Sequence, residues 1–430
     1  MENYSIVIFL LALMIGLTAI ASKIRIPYPI LLVSTGIIIG FIPGMPEIEI
    51  NPEIIFLIFL PPLLFDAAFN ISIPELRNNM ATVSTLAIPL VFLTTTAVAV
   101  VVHYMLPDMS WPLSFLLGAI VSPPDAVAAT SVTKGLGLSQ RTLTILEGES
   151  LINDASALVA YRFAVATIAG ASFTIWTAPV QFIIVLLGGI VIGITFAKIA
   201  ALFLKKVHAN SLTSISAMTL SPFITYLLAE EMHVSGVIAV VVMGLTLSGF
   251  TGKLFSEGTK IQNKSFWDVI IFLLNGLVFI LIGLEFPHVV KHMSDEMILL
   301  PLIGYGFLIT FLMLVIRIIW IRGHNNNIRK EIVKRQKKSG KPSFWSYSIE
   351  MLDWKEALII GWSGMRGIVS LAAALALPIV LSDGSAFPQR DTIICLSVIV
   401  VLITLVVQGL SLPLLVHLLK IDKPQLIHPQ

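Results

Sequence analysis

Seven ionisable side chains stand inside long apolar runs. They are Asp66 in FLPPLLFDAAF, Asp125 in GAIVSPPDAVAAT, Glu147, Glu149 and Asp154 in ILEGESLINDASALVAYR, Arg317 in VIRIIW, and Arg366 in GWSGMRGIVSLAAALALP. Each costs roughly 2.5–3.5 kcal/mol to insert into a bilayer, so each is a functional candidate. Pro123 and Pro124 beside Asp125 remove two amide donors in mid-run and disfavour helix at Ser122. A helix broken there leaves carbonyl oxygens free. Free carbonyls and carboxylates are the ligands that a hard monovalent cation needs in place of water. Broken backbone at membrane depth survives only where protein buries it or it lines a cavity.

The second interrupted run has Gly361, Gly364 and Gly367 around Arg366. Glycine weakens a helix by ~1 kcal/mol relative to Ala and permits close backbone approach. A buried Arg366 needs a partner. Glu149 and Glu147 are the candidates, the other reading being a tight helix crossing in which Arg366 reaches a loop carbonyl. Glu149 and Asn153 are i,i+4 and share a helix face, with Asp154 turned ~100° from Asn153. Desolvation favours a protonated carboxyl and nearby positive charge an ionised one. A balance of the two lets one carboxylate bind a proton or a cation in turn.

These residues need helices to hold them. Of 430 residues, 57% are hydrophobic and 12% charged, about half the charge of a soluble domain. Cys395 is the only cysteine, which excludes a disulfide scaffold. The fold class is an all-α polytopic membrane protein. Thirteen spans are expected: 4–21, 29–43, 54–70, 81–105, 111–132, 142–169, 175–204, 212–230, 234–250, 267–285, 297–321, 354–380 and 391–418. With the N-terminus outside and the C-terminus inside, twenty Lys and Arg residues fall in inner connections and two, Lys291 and Arg390, in outer ones. This is the asymmetry of the positive-inside rule.

The whole of 1–430 reads as one transmembrane domain, with a basic cytoplasmic loop at 322–353 and a short cytoplasmic tail at 419–430. No cleavable signal peptide is legible. Gly188, Gly189 and Gly193 suggest close helix packing, and a subunit interface as one use of it. Asp125 lies 14 residues past Trp111 and Asp154 lies 13 past Arg141, from opposite faces. At 1.5 Å per residue both sit ~20 Å deep in a core ~30 Å thick, so the two aspartates can meet. The spans carrying Asp125 and Arg366 are seven apart, and an odd offset inverts topology. Paired interrupted helices in inverted halves point to the substrate site of a secondary transporter.

GAIVSPPDAVAAT, GESLINDASALVAYR and GWSGMRGIVSLAAALALP together resemble the sodium/proton antiporters of the monovalent cation/proton antiporter superfamily, in the branch shared by bacterial antiporters and animal exchangers. FLPPLLFDAAF and VIRIIW match further segments, and the resemblance covers about residues 5–420. It implies the sodium/proton antiporter fold, with inverted repeats and two interrupted crossing helices, a dimerisation domain, a moving core domain and elevator-type alternating access. It implies Asp154 as the residue that binds cation or proton, with Asn153 its neutral neighbour. Asp125, Ser150 and Asp66 line or neighbour the cation site, Asp154 and Asp125 being the Na⁺ ligands. Glu149 and Arg366 form the core ion pair, and Arg317 is a second arginine of the core or ion pathway.

Many members have Thr where Pro124 stands and Pro where Ala126 stands, so Pro124 offers no hydroxyl ligand. The expected function is exchange of Na⁺ or Li⁺ for H⁺ in a bacterial plasma membrane, electroneutral at 1:1 because the pair is Asn-Asp. A K⁺/H⁺ exchanger on the same scaffold is the alternative, and an intramembrane aspartyl enzyme using Asp125 and Asp154 a remote one. No P-loop and no metal-spaced histidines occur. No cofactor is expected beyond the transported ions. The expected partners are monovalent cations, protons, lipid and a second copy of the chain in a homodimer, with no nucleic acid.

Overall fold

The computed structural model describes residues 2–24, 27–42, 52–133, 136–170, 177–206, 211–250, 255–292, 296–339, 352–381 and 384–420. Among these the fold is almost wholly helical, its one β feature a bridge between Val380 and Ala386. Eight helical stretches are long and apolar enough to cross a membrane, and Ile8–Ala21, Tyr28–Gly40, Leu57–Asn70 and Gly236–Ser248 are shorter apolar helices. The chain is a multi-pass membrane protein.

The elements that position the site run in order. They are α1 (Glu2–Ile24), α2 (Tyr28–Gly40), α3 (Pro52–Asn70), α4 (Ile73–Ala87), α5 (Pro89–Met105), α6 (Trp111–Val121), α7 (Ala126–Thr133) and α8 (Gln140–Ile168). Then come α9 (Thr177–Lys206), α10 (Ser211–Glu231), α11 (Gly236–Ser248), α12 (Glu257–His292) and α13 (Glu296–Ser339). The last are α14 (Trp354–Trp362), α15 (Ile368–Leu375), α16 (Arg390–Ile403), a π-helical turn over Thr404–Gln408, and α17 (Gly409–Leu418).

Local chemistry sets several boundaries. The expected span at 81–105 begins earlier, at Ile73, because Ser72 caps it by accepting from the Glu75 amide at 3.4 Å. Pro89 then divides α4 from α5. The closely spaced runs at 212–230 and 234–250 are separate helices, turned by His233 with φ at 57°. The basic segment 322–353 differs from the expected loop. Its first part continues α13 as helix to Ser339, in a 44-residue helix ~66 Å long. HNNNIRKEIVKRQKKS contains neither Gly nor Pro, so nothing stops the helix until Gly340. Residues 340–351, and 421–430 of the expected tail, lie outside the described residues.

Two apolar cores organise the bundle. One gathers α2, α6, α12, α15 and α16 around Leu116, Phe279 and Val400. The other gathers α3, α4, α8 and α11 around Phe65, Ile145 and Met243. The Arg390–Leu418 stretch is 78% buried and the Ile183–Lys206 stretch 22%; the first is therefore central, and the second presents Ile184, Val191 and Leu202 outward. The glycines of α9 make close contacts within the chain. Gly188 packs on Val234, Gly189 on Ser235 and Gly193 on Ala239, all of the same chain. Their missing Cβ atoms let α9 and α11 touch backbone to side chain.

Candidate cation site at the crossing of two broken helices

Both interruptions expected from the sequence are present, and they meet. Helix α6 stops at Val121 and α7 starts at Ala126; α14 stops at Trp362 and α15 starts at Ile368. The Asp125 amide donates to the Met365 carbonyl at 2.7 Å. The Asp125 carboxylate accepts from the Val127 amide at 2.8 Å and, across the crossing, from the Ile368 amide at 3.1 Å. One aspartate thus caps the N-terminal ends of two half-helices, where the macrodipole favours negative charge. Gly367 makes the approach possible, since a Cβ there would strike the Asp125 carboxylate.

Arg366 is the complement. Its Nε donates to the Val121 carbonyl at 2.8 Å, Nη2 to the Ser122 carbonyl at 3.3 Å, and Nη1 to the Gly364 carbonyl. These are the orphaned carbonyls at the C-terminal ends of the other two half-helices, where positive charge is favoured. Its backbone amide is held by Thr404 Oγ1 at 3.0 Å, from the π-helical turn. The expected Glu149–Arg366 pair is therefore corrected. Glu149 takes Arg317 instead, in a two-pronged pair with Nη1 to Oε1 and Nη2 to Oε2 at 2.6 Å. The Arg317 Nε also donates to the Ile360 carbonyl at 3.0 Å. The reason is geometric. The broken backbone already satisfies the donors of Arg366, whereas Arg317 on an unbroken helix has no free carbonyls of its own and matches a carboxylate fork.

Helix α8 lies against this crossing. Asn153 Nδ2 donates to the Pro124 carbonyl at 3.0 Å, and Ser150 Oγ accepts from the Ala126 amide at 3.3 Å. Pro124 thus supplies a carbonyl where a hydroxyl is wanting. Asn153 Oδ1 is buried without a hydrogen-bond partner among the described residues. Asp154, one residue on, is 4% exposed and lies within electrostatic range of Asp125. The structure therefore brings together Asp154, Asn153, Ser150, Asp125 and Pro124, with Arg366 beneath the crossing and the Glu149–Arg317 pair beside it. Asp66 joins a different group. It accepts from Asn70 Nδ2 at 2.7 Å and lines a cavity with Trp267 and Asp268.

Among the described residues no group of three or more His, Cys, Asp or Glu side chains could hold a metal ion. Sequence reasoning missed Thr404 and the buried Gln408, whose Oε1 is also unpartnered. Neither sits in a broken run, so only tertiary structure reveals them.

A family model described as "Sodium/hydrogen exchanger, transmembrane" matches residues 8–418. The chain belongs to the sodium/hydrogen exchanger family. Among its relatives are proteins named "Sodium, potassium, lithium and rubidium/H(+) antiporter" from Bacillus pumilus and Bacillus subtilis. The first is 33% identical over 428 residues, 96% of this chain and 61% of the relative. The second is 34% identical over 425 residues, 96% and 62%. The chain thus spans about three fifths of the length of these relatives. Its fold matches the sodium proton antiporter MjNhaP1 from Methanocaldococcus jannaschii with a TM-score of 0.71 at 20% identity, covering 97% of this chain and 98% of that one. The chain therefore has the expected antiporter fold.

Proposed function

We propose that this exchanger moves Na⁺ or Li⁺ against H⁺ across a bacterial plasma membrane, one for one and without net charge transfer. The observation that carries the reading is the buried Asp154, within electrostatic range of the capped Asp125 and on the helix whose Asn153 and Ser150 bond the broken backbone beside it. Asp154 is the carboxylate of this group that binds cation or proton in turn. Na⁺ takes its oxygens from Asp154, Asn153 and Ser150, with Asp125 adding charge. Asn153 cannot titrate, so one acid exchanges one proton for one cation. The Asp125 carboxylate is engaged by two amides, which disfavours an aspartyl-enzyme dyad.

Access alternates by an elevator movement of a core domain, residues 1–430 forming one unit of thirteen crossings, N-terminus outside and C-terminus inside, that works as a homodimer. The broken helices and α8 belong to the moving part, because the hydrogen bonds at the crossing tie them into one body. K⁺ is a second substrate reading, favoured by the name of the Bacillus relatives, which includes potassium and rubidium. The test is collapse of an imposed ΔpH in proteoliposomes on adding Na⁺, Li⁺ or K⁺. Wild-type protein dissipates it and Asp154→Asn does not. No cation-driven proton flux from correctly inserted protein overturns the proposal.

A further inference from the structure

A cavity of about 370 Å³ opens between the helical extension of α13 and the N-terminal end of α14. Its walls include Ile318, Arg322, Asn326, Arg329, Trp354 and Leu358. Arg322, Asn325, Asn326 and Arg329 follow at i, i+3, i+4 and i+7, so one face of α13 carries all four. Asn325 fixes the facing wall. Its Nδ2 donates to the Leu352 carbonyl at 2.7 Å and its Oδ1 accepts from the Leu352 amide at 3.1 Å. Asp353 then caps α14 by accepting from the Trp354 amide at 2.8 Å. Arg322, Asn326 and Arg329 are exposed, and their side chains make no hydrogen bond or ion pair with a described residue. Trp354 is 62% exposed. Glu331 is the one acidic residue in 322–341, against eight Lys and Arg, so the segment supplies little countercharge of its own.

We infer that this cavity binds the phosphate headgroup of an anionic phospholipid, on the side that the Lys and Arg distribution assigns to the cytoplasm. Two guanidiniums ~10 Å apart along one helix face close on a phosphate from either side, each with a fork that matches its oxygens. Asn326 adds an amide donor, and the N-terminal end of α14 favours negative charge. The depth fits a headgroup. Arg317 is held at the crossing by the Ile360 carbonyl. Arg322 lies five residues farther along the same helix and Arg329 twelve, or ~8 and ~18 Å. Half the hydrocarbon core is ~15 Å thick. With the crossing as midplane, the cavity straddles the boundary where headgroups begin, the level at which an exposed Trp is favoured. The surface below selects a lipid over a soluble phosphate. Phe311 is 64% exposed and Ile319 65%, and both lie within about 60° of Arg322 around the helix. They give the acyl chains an apolar track toward the bilayer centre. A lipid seated here braces α13, which carries Arg317, against α14, which leads to Arg366.

The test titrates the full chain, in detergent micelles, with phosphatidylglycerol, with phosphatidylcholine and with inorganic phosphate. It reads the thermal midpoint and, by native mass spectrometry, the lipid retained per chain. Phosphatidylglycerol raises the midpoint saturably and stays bound, while phosphatidylcholine and inorganic phosphate leave the midpoint where it was. Arg322→Gln and Arg329→Gln each weaken half-saturation about fivefold, the worth of one basic residue at an anionic surface, and together about 25-fold. Lys330→Gln, at an exposed residue outside the cavity walls, leaves half-saturation unchanged. All three side chains are exposed, so the lipid-free midpoint of each variant matches that of the unaltered chain, which separates lost binding from lost folding. Half-saturation indifferent to both arginines overturns the inference. Equal weakening by Lys330→Gln overturns it in favour of a diffuse basic surface. Equal stabilisation by inorganic phosphate overturns the lipid as ligand.

Discussion

Replacing Arg317 by methionine strands the Glu149 carboxylate, and replacing Glu149 by leucine strands the Arg317 guanidinium. The two side chains are 4% and 1% exposed, so solvent screens neither. Removing one partner of such a pair costs about 3–5 kcal/mol, because the survivor stays buried and charged. Removing both costs far less, and an apolar replacement of similar volume is often neutral. The double variant Glu149→Leu/Arg317→Met should therefore recover most of what either single variant loses, with a coupling of about 2–3 kcal/mol.

The same cycle on Glu149 and Arg366 should show little recovery, since Arg366 is held by the Val121, Ser122 and Gly364 carbonyls rather than by Glu149. The assay is the thermal midpoint of monodisperse protein in detergent for both cycles, with denaturant titration to convert shifts into free energy. Additive losses at Glu149 and Arg317, together with strong recovery in Glu149→Leu/Arg366→Met, would refute the pairing and restore the one expected from the sequence.

Other outcomes follow from the same geometry. Gly367→Ala should abolish cation-driven proton flux while the protein still inserts, because its Cβ drives the Asp125 carboxylate off the Ile368 amide; unimpaired flux would show that the crossing opens freely. Thr404→Val should lower stability by ~1–3 kcal/mol through the unpaired Arg366 amide, measured by the same thermal midpoint. Flux should be indifferent to an imposed membrane potential, and a strong dependence would exclude one-for-one exchange with a single titrating acid. Lowering the pH should raise the apparent KM for Na⁺ and leave the maximal rate unchanged, as competition at one carboxylate requires; a fall in maximal rate alone would separate proton from cation.

What the sequence made legible was the chemistry that apolar surroundings expose. Asp125 beside two prolines and Arg366 among glycines announced broken helices, and both breaks occur where those residues stand. The divide between α10 and α11 was also visible, in the three residues between two apolar runs. The partner of Glu149 was not. Three buried charges on three helices permit two pairings. The choice turns on whether Arg366 is satisfied by helix-end carbonyls, which is a matter of crossing geometry that no spacing encodes. The α9 glycines were ambiguous for a related reason, because small residues signal close approach without naming the surface approached.

The central claim is that Asp154 holds a proton or a cation but not both. The most direct measurement is proton release from solubilised protein in weakly buffered solution as Na⁺ is added. About one proton should be released per Na⁺ bound at the crossing, and none from Asp154→Asn. Saturating Na⁺ binding without proton release, or release undiminished in Asp154→Asn, would contradict it.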